Sequence, residues 1–433
     1  MRRSSSIPGQ TLLKRLKTCL PDSLTGGPET AAYLAVVCAA SFTMISIWLA
    51  ERCFEAAIIA VIWLGVRERR PFTLRLPFSL PLAVFFFWTL FASIAAGENP
   101  VNRHTLGKFY ILVLLFIVPP ALRGAGRAAW ACKAMFLAAA AASIAGIVQF
   151  VADPHRSLLD RITGFQSTWM NFSGQLMLVL VVLSAYAFCF GMGKKWWVLL
   201  PGLLITAAIA LSLTRNAWMG VVIGLGTVIL IRRPRLTPIL AAVLLVLYLA
   251  APTDYQQRLL SGLNPADPNT ANRIELFQTS MRLIREHPWF GVGPNSVASA
   301  ALHYRGKEVY LDWMYQHMHN NLLQIAAERG IPGLLIWMWF MGRLAWDSWR
   351  VFRRAGRGGT GAGGPEALLV STAALGAFAA LMCAGLFEYN YGSSPVLILY
   401  LFIAGAPYAF CEGRPAPGGP EFKHGAPGEC RSL

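Results

Sequence analysis

The stretch HNNLLQIAAERGIPGLLIWMWFMG, residues 319–342, decides how the chain is read. It opens on His319-Asn320, turns apolar, and carries Gly330-Ile331-Pro332-Gly333 in its middle. The apolar run from Ile331 to Gly342 spans about 18 Å as a helix at ~1.5 Å per residue. That falls short of the ~30 Å hydrocarbon core of a bilayer. A membrane helix built on it must borrow from Leu322–Ala327, from Arg343–Trp346, or from both. Gly330 and Pro332 predict a break within it. His319 then lies at the outer mouth of a broken helix.

Upstream of this stretch lies one long polar excursion, residues 252–318. Elsewhere apolar runs alternate with short basic loops. The 433 residues are 55% hydrophobic and only 14% charged, with a mean hydropathy of +0.50. Soluble domains hold about 25% charged residues, so the composition indicates a polytopic, all-α membrane protein. The net charge of +17 does not indicate nucleic acid, because the basic residues punctuate apolar runs instead of forming one patch.

Twelve spans are expected. The first nine are residues 31–50, 54–66, 77–96, 109–122, 128–151, 171–191, 196–213, 216–231 and 236–251. The last three, about 331–346, 367–387 and 395–411, follow the long loop. The organisation is thus a basic arm (1–30), nine spans (31–251), a large outer loop (252–318), three spans (319–411) and a Pro/Gly-rich tail (412–433) expected to be disordered. The arm reads as cytoplasmic, preceding a signal-anchor helix. Residues 356–364 read as a flexible Gly-rich link. With the N-terminus inside, 23 Lys and Arg residues fall on the cytoplasmic side and 12 outside, a bias that supports this topology. Six of seven histidines, all but His424, fall on the outer side. The eight cysteines show no CxxC spacing and suggest neither zinc nor a disulfide framework.

Three places could carry chemistry. Thr214-Arg215-Asn216 interrupts an apolar hairpin on the outer side. Arg215 there is either a charge awaiting a partner or a side chain snorkelling to headgroups. Asn272-Arg273-Ile274-Glu275 resembles a capped helix start, predicting an amphipathic helix over 272–287. Arg273 would then sit in the first turn, unfavourable unless an anion meets it, or else lie on a solvated face. His317-Met318-His319-Asn320 offers His319 as a general base or as a water-satisfied loop histidine. No metal is expected. His317 and His319 lack the spacing of a helical ligand pair, and nothing in the placing of Glu308, Asp312 and Glu388 requires an ion.

Taken together, these residues resemble the bacterial O-antigen ligase family, within the wider ligase/polymerase superfamily. The resemblance rests on His319-Asn320 followed after nine residues by Gly330-x-x-Gly333. It rests also on Arg273 followed by His287-Pro288-Trp289-Phe290-Gly291-Val292-Gly293-Pro294, and on Leu213-Thr214-Arg215, with Thr where the family usually has Ser. It implies an inverting, metal-independent GT-C-type glycosyltransferase without a cofactor. The donor would be an undecaprenyl-pyrophosphate-linked glycan and the acceptor a lipid A–core sugar, met at the periplasmic face among membrane lipids. Carried over residue by residue, His319 would be the base, and Arg215 and Arg273 would hold the pyrophosphate. Asn320 would orient His319 or cap a helix, Gly330 and Gly333 would support the motif, and His317 would be structural. The nearest rival is a polymerase whose acceptor is another lipid-linked glycan. A lipid-linked glycan flippase is a non-enzymatic rival, but it should carry charges at mid-bilayer, whereas the polar groups here collect on one face.

Overall fold

The computed structural model describes residues 28–67, 76–97, 103–153, 161–191, 196–304, 306, 315–357 and 364–411. Among them every regular element is helical. In chain order these are α1 (Pro28–Phe42), α2 (Ile47–Arg67), α3 (Ser79–Ala95), α4 (Arg103–Leu112), α5 (Leu114–Ala121), α6 (Arg127–Ala152), α7 (Trp169–Phe190), α8 (Leu199–Leu211), α9 (Arg215–Arg232) and α10 (Thr237–Ala250). The polar excursion folds into α11 (Thr253–Leu260), α12 (Pro268–Glu286) and α13 (Val297–Tyr304). Then come α14 (Asn321–Gly356), α15 (Gly364–Ala384), α16 (Ser394–Gly405) and a closing 3-10 turn, Ala406–Phe410.

The protein is an all-helical membrane protein. Among the described residues four helices, α6, α7, α9 and α15, are long and apolar enough to cross a bilayer, and shorter apolar segments accompany them. Helix α7 is apolar on every face and largely buried, as expected of a central helix. It packs with α9 and α15 through small residues. A Cβ on Gly224 would lie 2.5 Å from Val181 Cγ2, and one on Gly376 would lie 2.8 Å from Val228 Cγ2. Such close helix approach is what small residues permit in a membrane, where lipid removes the hydrophobic drive to associate. By contrast α10 buries no residue and exposes Ile239, Val243 and Leu247, a surface suited to lipid.

Several expected boundaries move. The first two spans are a hairpin broken at residues 43–46, and the second is a full 21-residue helix, Ile47–Arg67. Glu51, Arg52 and Glu55 had hidden its length, and Arg52 pairs with Glu55 at 2.7 Å. The helix expected over 272–287 begins at Pro268, because the Asp267 carboxylate accepts the Thr270 N–H at 3.2 Å. Glu275 therefore closes no capping box. It is buried and accepts from Thr279 Oγ1 (2.9 Å), Arg282 Nη2 (3.1 Å) and the Gly306 N–H (2.6 Å). The first 27 residues of the basic arm, residues 358–363 of the link, the tail from 412, His155, Glu308 and Asp312 lie outside the described residues.

The helices of the polar excursion do not float free. Leu276, Leu283, Ile284, Val297, Ala301, Tyr315 and Met318 form a small core with Ala326 and Ala327 of α14. This second core seats the outer layer on the first turns of α14 and fixes the site beneath it.

Candidate active site

The break in α14 organises the site. Gly330 has φ 73° and ψ 175°, outside the helical range, so the carbonyls before it lose their partners. The Pro288–Gly293 loop supplies new ones. Val292 N donates to Ala327 O at 2.9 Å and Gly293 N to Glu328 O at 3.1 Å, while Ile331 N donates back to Pro288 O at 2.8 Å. A Cβ on Gly330 would stand 2.1 Å from Trp289 O. The two glycine motifs of the sequence are therefore two halves of one joint. Beneath it Gln324 Nε2 donates to Glu328 Oε1 at 2.8 Å, Glu328 pairs with Arg329, and Arg329 Nε donates to Thr89 at 3.0 Å.

At the outer mouth of α14, Asn320 is the N-cap. Its Oδ1 accepts from Leu322 N (2.8 Å) and Leu323 N (3.1 Å), and its Nδ2 donates to Leu386 O at 2.9 Å. Of its two expected roles, capping is the one its side chain performs. His319, immediately before, is held at φ 44°. Its Nδ1 lies 2.9 Å from Glu388 Oε2, and Glu388 comes from the turn after α15. Burial pushes the Glu388 carboxyl up, but the His319 hydrogen bond and the His319 and His317 charges outweigh it and hold the group below the usual carboxylate range. An ionised carboxylate only accepts. Nδ1 of His319 is then the donor, and in the neutral ring Nε2 keeps its lone pair. The His317 ring lies 4.2 Å from that of His319, with its Nδ1 3.9 Å from Glu388 Oε1. Burial, and then the neighbouring His319, push His317 below the ordinary histidine value against the pull of Glu388. The ligating atoms of His317, His319 and Glu388 all lie within 4.8 Å of one another, a spacing that could hold a cation.

A second helix start repeats the design. Leu213 has φ 51°, Thr214 is the N-cap in extended conformation, and Arg215 is the first residue of α9. Among the described residues, Leu213, Asn295 and His319 are the non-glycine residues at positive φ, and all three line cavities around Glu388 or His319. Strained backbone of this kind gathers at functional sites. The arginine in a first helical turn is thus Arg215, while Arg273 falls in the second turn of α12 because Pro268 starts that helix.

Two cavities meet at His319. One, of about 200 Å³, is lined by Arg161, Arg215, Arg258 and Arg273 together with His319 and Glu388. Burial lowers Arg161 to about 10, helped by the charges of Arg258, Arg215 and Arg273. Arg273 is lowered likewise, by burial and then by Arg215. Four guanidinium groups disfavouring one another beside a helix N-terminus form a place for an anion. The other cavity, of about 430 Å³, shares Arg215, Arg273, His319 and Asn320, and is otherwise mostly apolar, with Met219, Leu259, Phe277, Leu323 and Leu386 among its walls.

Residues 200–338 match the family model described as O-antigen ligase. This segment belongs to the O-antigen ligase family. No curated protein matches the chain. The protein is accordingly an enzyme of the O-antigen ligase/polymerase type, acting on lipid-linked glycans in general. The O-antigen ligase segment holds Arg215, Arg273, His319, Gly330 and Gly333, and the fold brings the first three to one cavity, while Gly330 shapes the joint and Gly333 lets Trp88 approach α14. Glu388 and Arg161 lie outside the segment, and Arg258 within it. Of these three, only Glu388 is marked by the sequence, as a possible but not required metal ligand; no motif marks any of them for glycan transfer. Arg258, in the second turn of a helix inside the polar excursion, was the most open to discovery. Arg161 follows Asp160 in a short polar loop and Glu388 closes an apolar run, with no periodicity to mark either.

Proposed function

We propose that the protein is an O-antigen ligase. It moves a glycan from undecaprenyl pyrophosphate to a sugar hydroxyl of lipid A–core, at the periplasmic face of the bacterial inner membrane. The observation that carries this reading is the sharing of Arg215, Arg273 and His319 between an apolar cavity and an arginine-lined one. A ligand filling both is an amphiphile with an anionic head, the chemistry of a polyprenyl pyrophosphate. Guanidinium forks suit phosphate oxygens and stay charged.

In the step itself His319 Nε2 takes the proton of the acceptor hydroxyl. The hydroxyl oxygen attacks the anomeric carbon from the face opposite the pyrophosphate, the C–O bond to that group breaks, and its electron pair leaves with undecaprenyl pyrophosphate. The anomeric centre inverts. Arg215, Arg273, Arg161 and Arg258 stabilise the charge that grows on the leaving group, where preorganised donors contribute most. Glu388 fixes the His319 tautomer and stabilises the imidazolium. The reaction is metal-independent on this reading, with Arg215, Arg273, Arg161 and Arg258 supplying the positive charge that a cation would otherwise bring to the leaving group.

The test is a reconstituted transfer from undecaprenyl-pyrophosphate glycan, with lipid A–core and a second lipid-linked glycan offered as separate acceptors. Product on lipid A–core supports the ligase. Lengthened lipid-linked chains would make it a polymerase, and no product with a verified donor and acceptor would remove the enzymatic reading of this site.

A further inference from the structure

A third cavity, of about 450 Å³, shares Glu388 and Met170 with the arginine-lined one but includes none of its four arginines. It touches Glu388 and His317, and its wall includes Asn171, Gln316, Asn390 and Ser393. The cations that reach it are already engaged. Arg329 pairs with Glu328, and Lys108 Nζ donates to Gly392 O. The wall is thus rich in uncharged amide and hydroxyl groups, unsuited to a pyrophosphate and suited to a neutral polyol. Its size is that of a ligand pocket.

Two wall residues carry polar atoms without hydrogen-bond partners. Asn390 is 3% exposed, and its Nδ2 has none. His317 Nδ1 has none either. Buried donors and acceptors in native folds are normally satisfied, and leaving one unmet is costly. A ligand dense in hydroxyls both donates and accepts, so it can answer both atoms. Beside them Ser393 Oγ donates to Asn171 Oδ1 at 2.7 Å, which holds that part of the wall in place.

We propose that this cavity seats the acceptor saccharide: a neutral, polyhydroxylated sugar hydrogen-bonded by Asn390 and Gln316, beside Glu388 and apart from the arginines that hold the anion. Glu388 lines both this cavity and the arginine-lined one, and His319 lines the second, so a saccharide seated here extends past Glu388 to bring its hydroxyl to His319. Asn390, Gln316 and His317 then set which sugar is accepted. The inference rests on the transferase reading above.

The experiment is equilibrium binding to the detergent-solubilised full chain. Two probes are used separately: the delipidated core oligosaccharide, and undecaprenyl pyrophosphate. Gln316 is exposed at the cavity rim, so Gln316→Trp fills the cavity without disturbing the core. Asn390→Ser removes the unpartnered amide. Both variants should weaken oligosaccharide binding about tenfold or more, with undecaprenyl pyrophosphate affinity within about twofold and thermal unfolding unchanged for Gln316→Trp. Unaltered oligosaccharide affinity in a folded Gln316→Trp protein overturns the proposal, as does a loss confined to undecaprenyl pyrophosphate, or a wild type that binds no saccharide. The delipidated repeat glycan of the donor is the control that separates the two readings. If it binds in place of the core oligosaccharide and Gln316→Trp abolishes that binding, the cavity stands as the acceptor seat and the ligase reading gives way to the polymerase.

Discussion

His319 Nδ1 and Glu388 Oε2 stand 2.9 Å apart although 69 positions separate the residues in the chain. Helices α14 and α15 pack side by side, which returns the chain after α15 to the mouth of α14. There Asn320 Nδ2 donates to Leu386 O and Asn321 N donates to Gly385 O at 2.7 Å. The histidine is thereby oriented by a carboxylate that is itself tied down: Tyr389 N donates to Glu388 Oε1 at 3.1 Å.

Glu388→Gln should keep the fold and lower the transfer rate about 100-fold, the scale of losing alignment and charge support at a base. The acceptor and donor KM values should change little, and Glu388→Asp should recover part of the rate. Steady-state kinetics on the three proteins check this, and an unchanged kcat in Glu388→Gln would remove the carboxylate from the mechanism.

Arg161→Ala and Arg258→Ala should each weaken undecaprenyl pyrophosphate binding about 10- to 100-fold, as should Arg215→Ala and Arg273→Ala. Hydrogen bonds to charged groups contribute about 1.5–3 kcal/mol. Lysine replacements should restore little, since a point charge does not reproduce the fork. Direct binding measurements test each position.

Stability should fall on the acid side of neutrality. The folded protein keeps His317 below its ordinary value, whereas the unfolded chain protonates it near pH ~6.5. The unfolded state therefore binds more protons as pH drops through that range, and folding weakens. Glu388, also held low, adds its own loss only as pH falls below the ordinary carboxylate range. Unfolding midpoints measured in detergent from about pH 8 down to about pH 5 should decrease, and His317→Asn should flatten the decrease above the carboxylate range.

Gly330→Ala should be destabilising and inactivating together. Backbone strain at φ 73° costs about 1–3 kcal/mol for a residue with a side chain. The added Cβ also meets the Trp289 carbonyl, a backbone atom that cannot swing aside. A lowered unfolding temperature with an altered Pro288–Gly293 loop is the expected result.

Much of this architecture was legible in the sequence because its signals are local. The apolar runs gave the helical membrane class, and Gly330 with Pro332 gave the break in α14. Arg215 and His319 stand out as polar residues next to apolar runs, and Arg273 as part of an apparent helix start. The rest depends on contacts that no local pattern carries. Asp267-Pro268 is a stronger helix start than Asn272, and moving the start displaced Arg273 from the first turn. The joint between Pro288–Gly293 and Gly330 needs both partners in view before either glycine motif has a mechanical meaning. Glu388 is one acidic residue after an apolar run, and only the packing of α14 on α15 makes it the partner of His319. Arg161 and Arg258 likewise become a binding group only when the fold gathers them around one cavity.

The central claim is that His319 is the base of a metal-independent glycan transfer. The most direct measurement is single-turnover transfer from undecaprenyl-pyrophosphate glycan to lipid A–core by chelator-treated protein in vesicles, wild type beside His319→Ala. The account predicts a full wild-type rate without divalent metal, and a His319→Ala rate about 100- to 10,000-fold lower with donor binding retained. A His319→Ala protein that transfers at the wild-type rate, or a wild type that is silent until metal is returned, would contradict it.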